Sequence, residues 1–280
     1  MPSQQRPLIS LPSLAVSGEP WCLAPEGFDL HRLRHLETVL ALSNGQAGVR
    51  GSLECSPRLG DPGMYLAGVF APTEGFDAEL VNLPCWLGLE PDMDGLALDP
   101  SRGRVLRCRR VLDMRMGVLW TRLVFRDAAG RRTRWETGRL VHKTRRHLGL
   151  IWGTITALDY DGRCRLGSSI DAWAVKYLSD SRRNHFTDLA GRDLGAQGVA
   201  LDLTVAGTGV RVSLAARRRV AAPARRSADI EPDRAVETFA FPLRRGRPVA
   251  FAKCAVWFTS RDEVDPPRSA GRALRAAARV

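Results

Sequence analysis

The chain has 280 residues, of which 44% are hydrophobic and 26% are charged, so it can bury a large core. This excludes a disordered chain and a small peptide stapled by disulfides. Its 42 basic and 30 acidic residues give a net charge of +12, and only three of the basic residues are lysines. An excess of this size suggests a nucleic acid, an anionic membrane or a phosphorylated substrate. However, the arginines are spread along the chain rather than gathered in one stripe, which favours a compositional origin such as GC-rich coding and argues against nucleic acid.

The cysteines and the apolar runs indicate the cellular compartment. The six cysteines lie far apart without a C-x-x-C pair, which predicts free thiols in a reducing compartment and no locally encoded zinc site. The apolar stretch at residues 8–16 is interrupted by Pro12 and makes a poor signal sequence. No run approaches the roughly 18 apolar residues that span a bilayer. We therefore expect a soluble, cytoplasmic protein with no membrane partner.

The first predicted element is a helix over residues 30–42. Asp29 has the side chain of an N-cap, and Asn44 with Gly45 provides the stop. A strand that begins after Glu37 is the alternative. The glycine-rich stretch 44–51 lacks the Lys-Ser/Thr of a P-loop, so we interpret it as a tight turn rather than a phosphate cradle.

From residue 118 onward, apolar and polar residues alternate with period two and are cut by turn residues, which is typical of antiparallel strands with one buried face. Residues 249–259 are apolar on both faces except for Lys253 and predict a central strand. The composition predicts an exposed loop over residues 217–234 and a short helix over residues 268–280. The predicted fold is all-β, a large antiparallel sandwich of two packed sheets with few short helices. Hairpins are predicted to join 118–125 to 131–136, 151–158 to 163–170, and 199–205 to 210–214.

The sequence marks no catalytic or metal site. His31 and His35 are four residues apart, but no third ligand accompanies them, so a solvated helix face is the better interpretation. We interpret His185 as a polar loop residue. There is no G-x-S-x-G elbow, and the carboxylates form no pair with the spacing of a general acid and base.

An ordered set of short motifs resembles the opening of glycoside hydrolase family 65, the maltose, trehalose and kojibiose phosphorylases. Each motif is weak alone, but their order and spacing cover nearly the whole chain. The motifs are Trp21 with residues 26–29, then 42–45, 48–51, 65–69, 79–84, 110–114 with 117–119, 130–133, Arg139 and 257–261.

The resemblance implies the N-terminal domain of that family, a β-sandwich similar to galactose mutarotase-like folds. We expect this domain to occupy residues 1–262, and residues 263–280 to begin a helical linker. In the family an (α/α)6 barrel follows and carries the inverting chemistry, in which inorganic phosphate is the co-substrate of the phosphorylases. No catalytic residue and no cofactor is therefore carried over to this chain.

The resemblance favours a non-catalytic domain that binds carbohydrate or supports assembly, with a separately encoded barrel as its partner. If an α-linked glucoside binds, we expect Trp86, which follows Pro84-Cys85 and should lie near a surface, to stack on the sugar. Arg50 and Asp113 would be its polar contacts, although a buried ion pair or a turn-stabilising bond is the stronger expectation for both. An arginine-rich anion or nucleic-acid module, or an inactive truncated gene product, are the alternatives.

Overall fold

A computed structural model describes residues 20–73, 76–172 and 185–277. Within these ranges, two antiparallel sheets pack face to face around one apolar core, which confirms the all-β sandwich. The larger sheet has nine strands in the spatial order β1 (Cys22–Leu23), β9 (Arg104–Asp113), β10 (Val118–Arg126), β11 (Arg132–Val141), β12 (Leu148–Ala157), β19 (Val249–Thr259), β16 (Arg211–Val220), β15 (Val199–Val205) and β14 (Phe186–Asp193).

The smaller sheet has five strands, and two minor sheets lie in the N-terminal half of the chain. None of the described helices has the length and apolar character to cross a lipid bilayer. The five-stranded sheet runs in the order β17 (Arg225–Ile230), β18 (Arg234–Leu243), β13 (Gly162–Asp171), β7 (Leu89–Met93) and β8 (Leu96–Ala97). The minor sheets are β2 (Leu42–Ser43), β3 (Ala47–Val49) and β4 (Met64–Leu66), and β5 (Phe70–Thr73) with β6 (Phe76–Leu80).

The predicted first helix is present but shorter than expected. Asp29 accepts a hydrogen bond from the His31 backbone N–H at 2.9 Å and caps a 3₁₀ turn that leads into α1 (Leu33–Val39). Strand β2 then begins at Leu42, so the helix ends before the predicted boundary. The glycine-rich stretch is a turn, as predicted, because the Asn44 side chain accepts from the backbone N–H of Gln46 and of Ala47.

Two predicted hairpins, β10–β11 and β15–β16, are confirmed, and β19 is central because it pairs with β12 and β16. The hairpin predicted from 151–158 and 163–170 is wrong. Strand β12 lies in the nine-stranded sheet, whereas β13 pairs with β18 and β7 in the other sheet. The turn between them carries the chain across the sandwich, and the half-buried Tyr160 bonds Thr133 through its hydroxyl at 2.7 Å.

The loop predicted at residues 217–234 is also wrong, because its arginines lie on β16, β17 and β18. Arg218 points into the sandwich, where its backbone N–H donates to Glu237 at 2.8 Å and its guanidinium lies 4.5 Å from the Phe239 ring centroid. Arg226 pairs with the same Glu237 at 3.2 Å. The buried Glu237 carboxylate, which accepts from the Arg218 backbone and pairs with the Arg226 guanidinium, helps this arginine-rich segment join a sheet.

The predicted terminal helix is observed as α2 (Pro266–Ala277), with residues 278–280 outside the described ranges. It lies on the outer face of β16 and β19, where it packs with Ala215 and Val256. Ala270 and Leu274 are its buried contacts. The helix therefore covers one part of the outer face of the nine-stranded sheet.

Lys253 joins the two sheets through the middle of the core. It lies on the inner face of β19, is 1% exposed, and donates from Nζ to the carbonyls of Gly88 and Ser169, both at 2.9 Å. Gly88 has no room for a side chain, because a Cβ there would collide with the Ser169 hydroxyl. Burial, helped by the charge of Arg218, lowers the pKa of Lys253 from 10.5 to about 7.

This shift predicts a pH dependence that Lys253→Met removes. Between the folded and unfolded pKa values, the unfolded chain holds a proton on Lys253 that the folded protein lacks, so this residue's contribution to the free energy of unfolding rises with pH. Wild type should gain on the order of 1–2 kcal/mol relative to Lys253→Met between about pH 7 and pH 8.5. Denaturant titrations at both pH values measure the difference, in which the titration of the buried thiols cancels. The exposed Lys143→Met is the control, and a wild-type-minus-Lys253→Met difference that does not change with pH would contradict the assignment.

Candidate functional site

A cleft of about 590 Å³ opens on the outer face of the five-stranded sheet. Side chains along these strands alternate between the core, which receives Leu166 of β13 and Leu89 of β7, and the cleft. Glu90, Arg165 and Asp229 reach the cleft from three different strands, β7, β13 and β17. The floor of the cleft is therefore polar, although the opposite face of the same strands is apolar.

Two loops form the walls of the cleft, at residues 55–59 and 97–101. They are tied to each other, because the Ser56 hydroxyl donates to the Leu98 carbonyl at 3.0 Å. They are tied to the sheet by Arg58, which donates to Asp171 Oδ2 from Nη2 at 2.6 Å and from Nε at 3.0 Å. Asp171 is the last residue of β13, so the ion pair fixes the wall to the end of that strand.

Guanidinium and carboxylate groups alternate at one end of the cleft. Arg234 Nη2 lies 3.0 Å from Glu90 Oε2, and Arg234 Nε lies 3.4 Å from Asp171 Oδ2. The Ser169 hydroxyl donates to Glu90 Oε1 at 2.8 Å. Glu90 is thus held from two sides, by a guanidinium and by a hydroxyl.

Arg165 and Asp229 differ from these residues. Both are exposed and line the cleft, and neither makes an ion pair within the described ranges. Their polar groups face solvent and are available to a ligand.

A buried ion pair positions the start of the wall at residue 55. Glu54 and Arg139 are fully buried, with Arg139 Nη1 3.2 Å from Glu54 Oε1. Arg139 also donates to the Ser52 carbonyl at 3.0 Å, and the Glu54 carbonyl accepts from the Leu89 N–H of β7 at 2.8 Å. The segment before Cys55 has no regular secondary structure, so these contacts with β7 and β11 determine its path.

The other end of the same segment is held by α1. Glu37 is fully buried and accepts from the Asp61 N–H at 2.7 Å, while burial raises the pKa of its carboxyl. Arg50 Nη2 lies 3.8 Å from Glu37 Oε2 and donates to the Arg34 carbonyl at 2.9 Å. Arg50, a predicted sugar contact, therefore makes the ion pair that was its alternative interpretation, and it does not line the cleft.

The expectation that Trp86 lies near a surface is wrong. Its side chain is fully buried, and its ring centroid lies 6.1 Å from that of Trp257. The ring fits above β12 only because Gly149 has no side chain there, since a Cβ would come within 2.5 Å of it. Asp113 accepts from the Met116 N–H at 2.9 Å in the β9–β10 turn, which is the turn-stabilising bond named as its alternative role.

The histidines form no metal site that the structure describes. Within residues 20–73, 76–172 and 185–277, no three His, Cys, Asp or Glu side chains lie close enough together to hold a metal ion. His185, expected in a polar loop, is buried instead, with Nε2 2.6 Å from Glu79 Oε1.

The outer face of the nine-stranded sheet carries more positive charge than the cleft, and we term it the arginine face. Glu136 is its buried carboxylate, with Arg122 Nε at 2.6 Å and Arg134 Nε at 3.1 Å. Trp120 and Trp152 lie beside it in an edge-to-face pair, with 5.5 Å between ring centroids. Five arginines define the arginine face: Arg107, Arg109, Arg122, Arg134 and Arg217.

Three of these five arginines, Arg107, Arg109 and Arg217, have no carboxylate partner in the part of the chain that the structure describes. The face lies next to α2, which covers the neighbouring part of the same sheet. The arginine face is thus a positive surface with half-buried aromatic rings.

Sequence reasoning missed the cleft because its residues are distant in the chain. Glu90 and Asp92 are charged residues two positions apart, and so are Arg163 and Arg165. This spacing indicates a strand with one polar face. Nothing in the sequence indicates that β7 pairs with β13, or that β18 joins β13 to β17. The pairing follows from the sheet topology.

Comparisons with known proteins give a consistent result. The family model described as glycosyl hydrolase family 65, N-terminal domain, matches residues 23–280. A kojibiose phosphorylase of Caldanaerobacter subterraneus subsp. tengcongensis is 28% identical over 254 residues, which cover 86% of this chain and 33% of that protein. An uncharacterized glycosyl hydrolase of Mycobacterium tuberculosis is 31% identical over 268 residues, covering 87% of this chain and 20% of that protein.

A solved structure named "Putative kojibiose phosphorylase from human microbiome" superposes with a TM-score of 0.80 at 13% identity, covering 94% of this chain and 36% of that one. At this identity the match shows the fold. The chain spans about one third of the length of the kojibiose phosphorylases that it matches.

The buried Glu54–Arg139 pair yields a stability prediction. Glu54→Gln should lower the free energy of unfolding by about 3 kcal/mol, because it leaves the Arg139 charge buried without its counter-ion. Glu263→Gln is the matched control, since Glu263 meets Arg272 at 3.8 Å on the surface and should cost less than about 1 kcal/mol. Urea denaturation measures both values, and equal losses in the two variants would show that the buried pair does not hold the segment.

Proposed function

Because this chain belongs to glycosyl hydrolase family 65, whose N-terminal domain it matches over residues 23–280, we propose that it is a non-catalytic module of α-glucoside metabolism that supports a catalytic domain. The relatives named kojibiose phosphorylase are about three times as long as the matched region. The substrates of the complete assembly would be α-linked glucosides, with inorganic phosphate as co-substrate. All six cysteines are free thiols, which supports a cytoplasmic location for the module.

The arginine face is the observation that carries the assembly role. Arg109 and Arg217 offer guanidinium groups that pair with no carboxylate among the described residues, and Trp120 and Trp152 offer apolar area beside them. Tryptophan and arginine are the residues most enriched among those that dominate binding at protein interfaces. An acidic surface on the catalytic domain would complement this face.

Mixing tests the proposal. The remainder of the Caldanaerobacter subterraneus kojibiose phosphorylase, produced separately, should bind this chain in sedimentation velocity. The mixture should then release more glucose 1-phosphate from kojibiose and phosphate than the remainder alone. No complex and no gain in phosphorolysis would overturn the assembly role.

Charge reversal locates the contact. Arg109→Glu and Arg217→Glu should each weaken the complex by about tenfold, because they place a negative charge against an acidic surface. Arg163→Glu is the control for net charge, since Arg163 is an exposed arginine on the five-stranded sheet, away from the arginine face. Equal weakening by all three variants would indicate a non-specific effect of net charge.

An anion-binding module is the second candidate, and the same unpaired arginines favour it. A polyanion bound at this face would show an affinity for single-stranded DNA that falls steeply with salt, by a slope of about 0.7 for each phosphate neutralised. Steep salt dependence without complex formation in the mixing experiment would favour this candidate over the assembly role.

We also propose carbohydrate as a ligand of the module. The family's substrates support this ligand class.

A further inference from the structure

We propose that the cleft on the five-stranded sheet is a binding site for a neutral α-linked glucoside, held by hydrogen bonds to Arg165, Asp229, Glu90 and Arg234. This inference rests on the proposed carbohydrate role and assigns it to one site. None of the sugar contacts expected from the sequence, Trp86, Arg50 and Asp113, lines this cleft.

The charge of the cleft selects a neutral ligand. Among the described residues, three arginines and four carboxylates line it, so this lining has a slightly negative formal charge although the chain as a whole carries +12. A phosphate or a nucleic-acid backbone would meet the carboxylates of Glu90, Asp92 and Asp229. Desolvating like charges against one another costs free energy, which disfavours an anionic ligand.

The polar groups of the cleft match a polyhydroxylated molecule. A sugar hydroxyl both donates and accepts, so it can bridge a carboxylate and a guanidinium that lie side by side. Arg234 with Glu90 at 3.0 Å provides such a pair at one end of the cleft. Hydrogen bonds to charged groups are stronger than those between neutral groups, so they can hold sugar hydroxyls even in a partly solvated site.

Arg165 and Asp229 are the residues from which a ligand would gain most binding free energy. Arg165 and Asp229 are exposed and make no ion pair within the described ranges, so a ligand need not break an existing contact to reach them. They reach the cleft from β13 and β17, with β18 between those two strands. A ligand that contacts both must therefore extend across the sheet, as a disaccharide does.

The size and the apolar lining also fit. A volume of about 590 Å³ lies within the usual range of about 300–1,000 Å³ for small-molecule sites. Pro57, Leu98 and Val236 add apolar surface against which the C–H faces of a pyranose ring can pack. The described lining contains no aromatic side chain, so hydrogen bonding rather than ring stacking would provide most of the affinity.

Calorimetric titration of the full chain tests the assignment. Kojibiose and maltose should bind wild-type protein, and Arg165→Ala and Asp229→Ala should each weaken the association by about tenfold, the loss expected for a hydrogen bond to a charged group. Arg163→Ala is the matched control, because Arg163 is an exposed arginine two residues away on the same face of β13 but outside the cleft. Both substituted cleft residues are exposed and make no ion pair with any residue that the structure describes, so the melting temperature should stay at the wild-type value.

The outcomes separate this site from the wider function. Sugar binding that is unchanged in Arg165→Ala and Asp229→Ala would overturn the cleft assignment and leave the carbohydrate role intact. Glucose 1-phosphate binding more tightly than kojibiose would overturn the choice of a neutral ligand. Absence of any binding by wild type would overturn both the cleft site and the carbohydrate role, whereas the assembly role is decided independently by the mixing experiment.

Discussion

The Lys253 side chain is the contact on which the geometry of the cleft depends. Its Nζ reaches from the nine-stranded sheet to the carbonyl of Gly88, the residue before β7, and to the carbonyl of Ser169 on β13. The hydroxyl of the same Ser169 holds Glu90 in the cleft. Ser169 of β13 thus connects Lys253 in the core to Glu90 in the cleft. A shift of one sheet against the other would displace both contacts.

Buried charged residues also hold in place the segment at residues 50–61, which contains no α-helix and no β-strand. A carboxylate in an apolar core must be paired or protonated, so Glu54 requires Arg139, and Glu37 requires the Asp61 N–H. These pairings are costly to desolvate, but they allow only one path for residues 50–61. Buried and half-buried contacts therefore hold the wall of the cleft, although its sequence alone would suggest a loose loop.

Local pattern predicted much of the fold, and non-local contact decided the rest. The hairpins β10–β11 and β15–β16 and the central β19 follow from alternation and turn residues. Strand β13 alternates in the same way, so its sequence does not reveal which sheet it joins. The burial of Trp86 depends on Gly149, 63 residues later, and the cleft depends on the pairing of β7, β13 and β18. The sheet that β13 joins, the packing of Trp86 over Gly149 and the pairing that forms the cleft all depend on residues distant in sequence.

The sandwich presents two surfaces that differ in charge and in the ligand proposed for each. The arginine face carries excess positive charge, whereas the cleft on the other sheet is almost balanced. Hydrogen–deuterium exchange of the intact chain with and without kojibiose tests this most directly. We expect slower exchange in β7, β13 and the wall at residues 55–59, with β9 to β11 unchanged. Protection confined to β9 to β11, or protection nowhere, would contradict it.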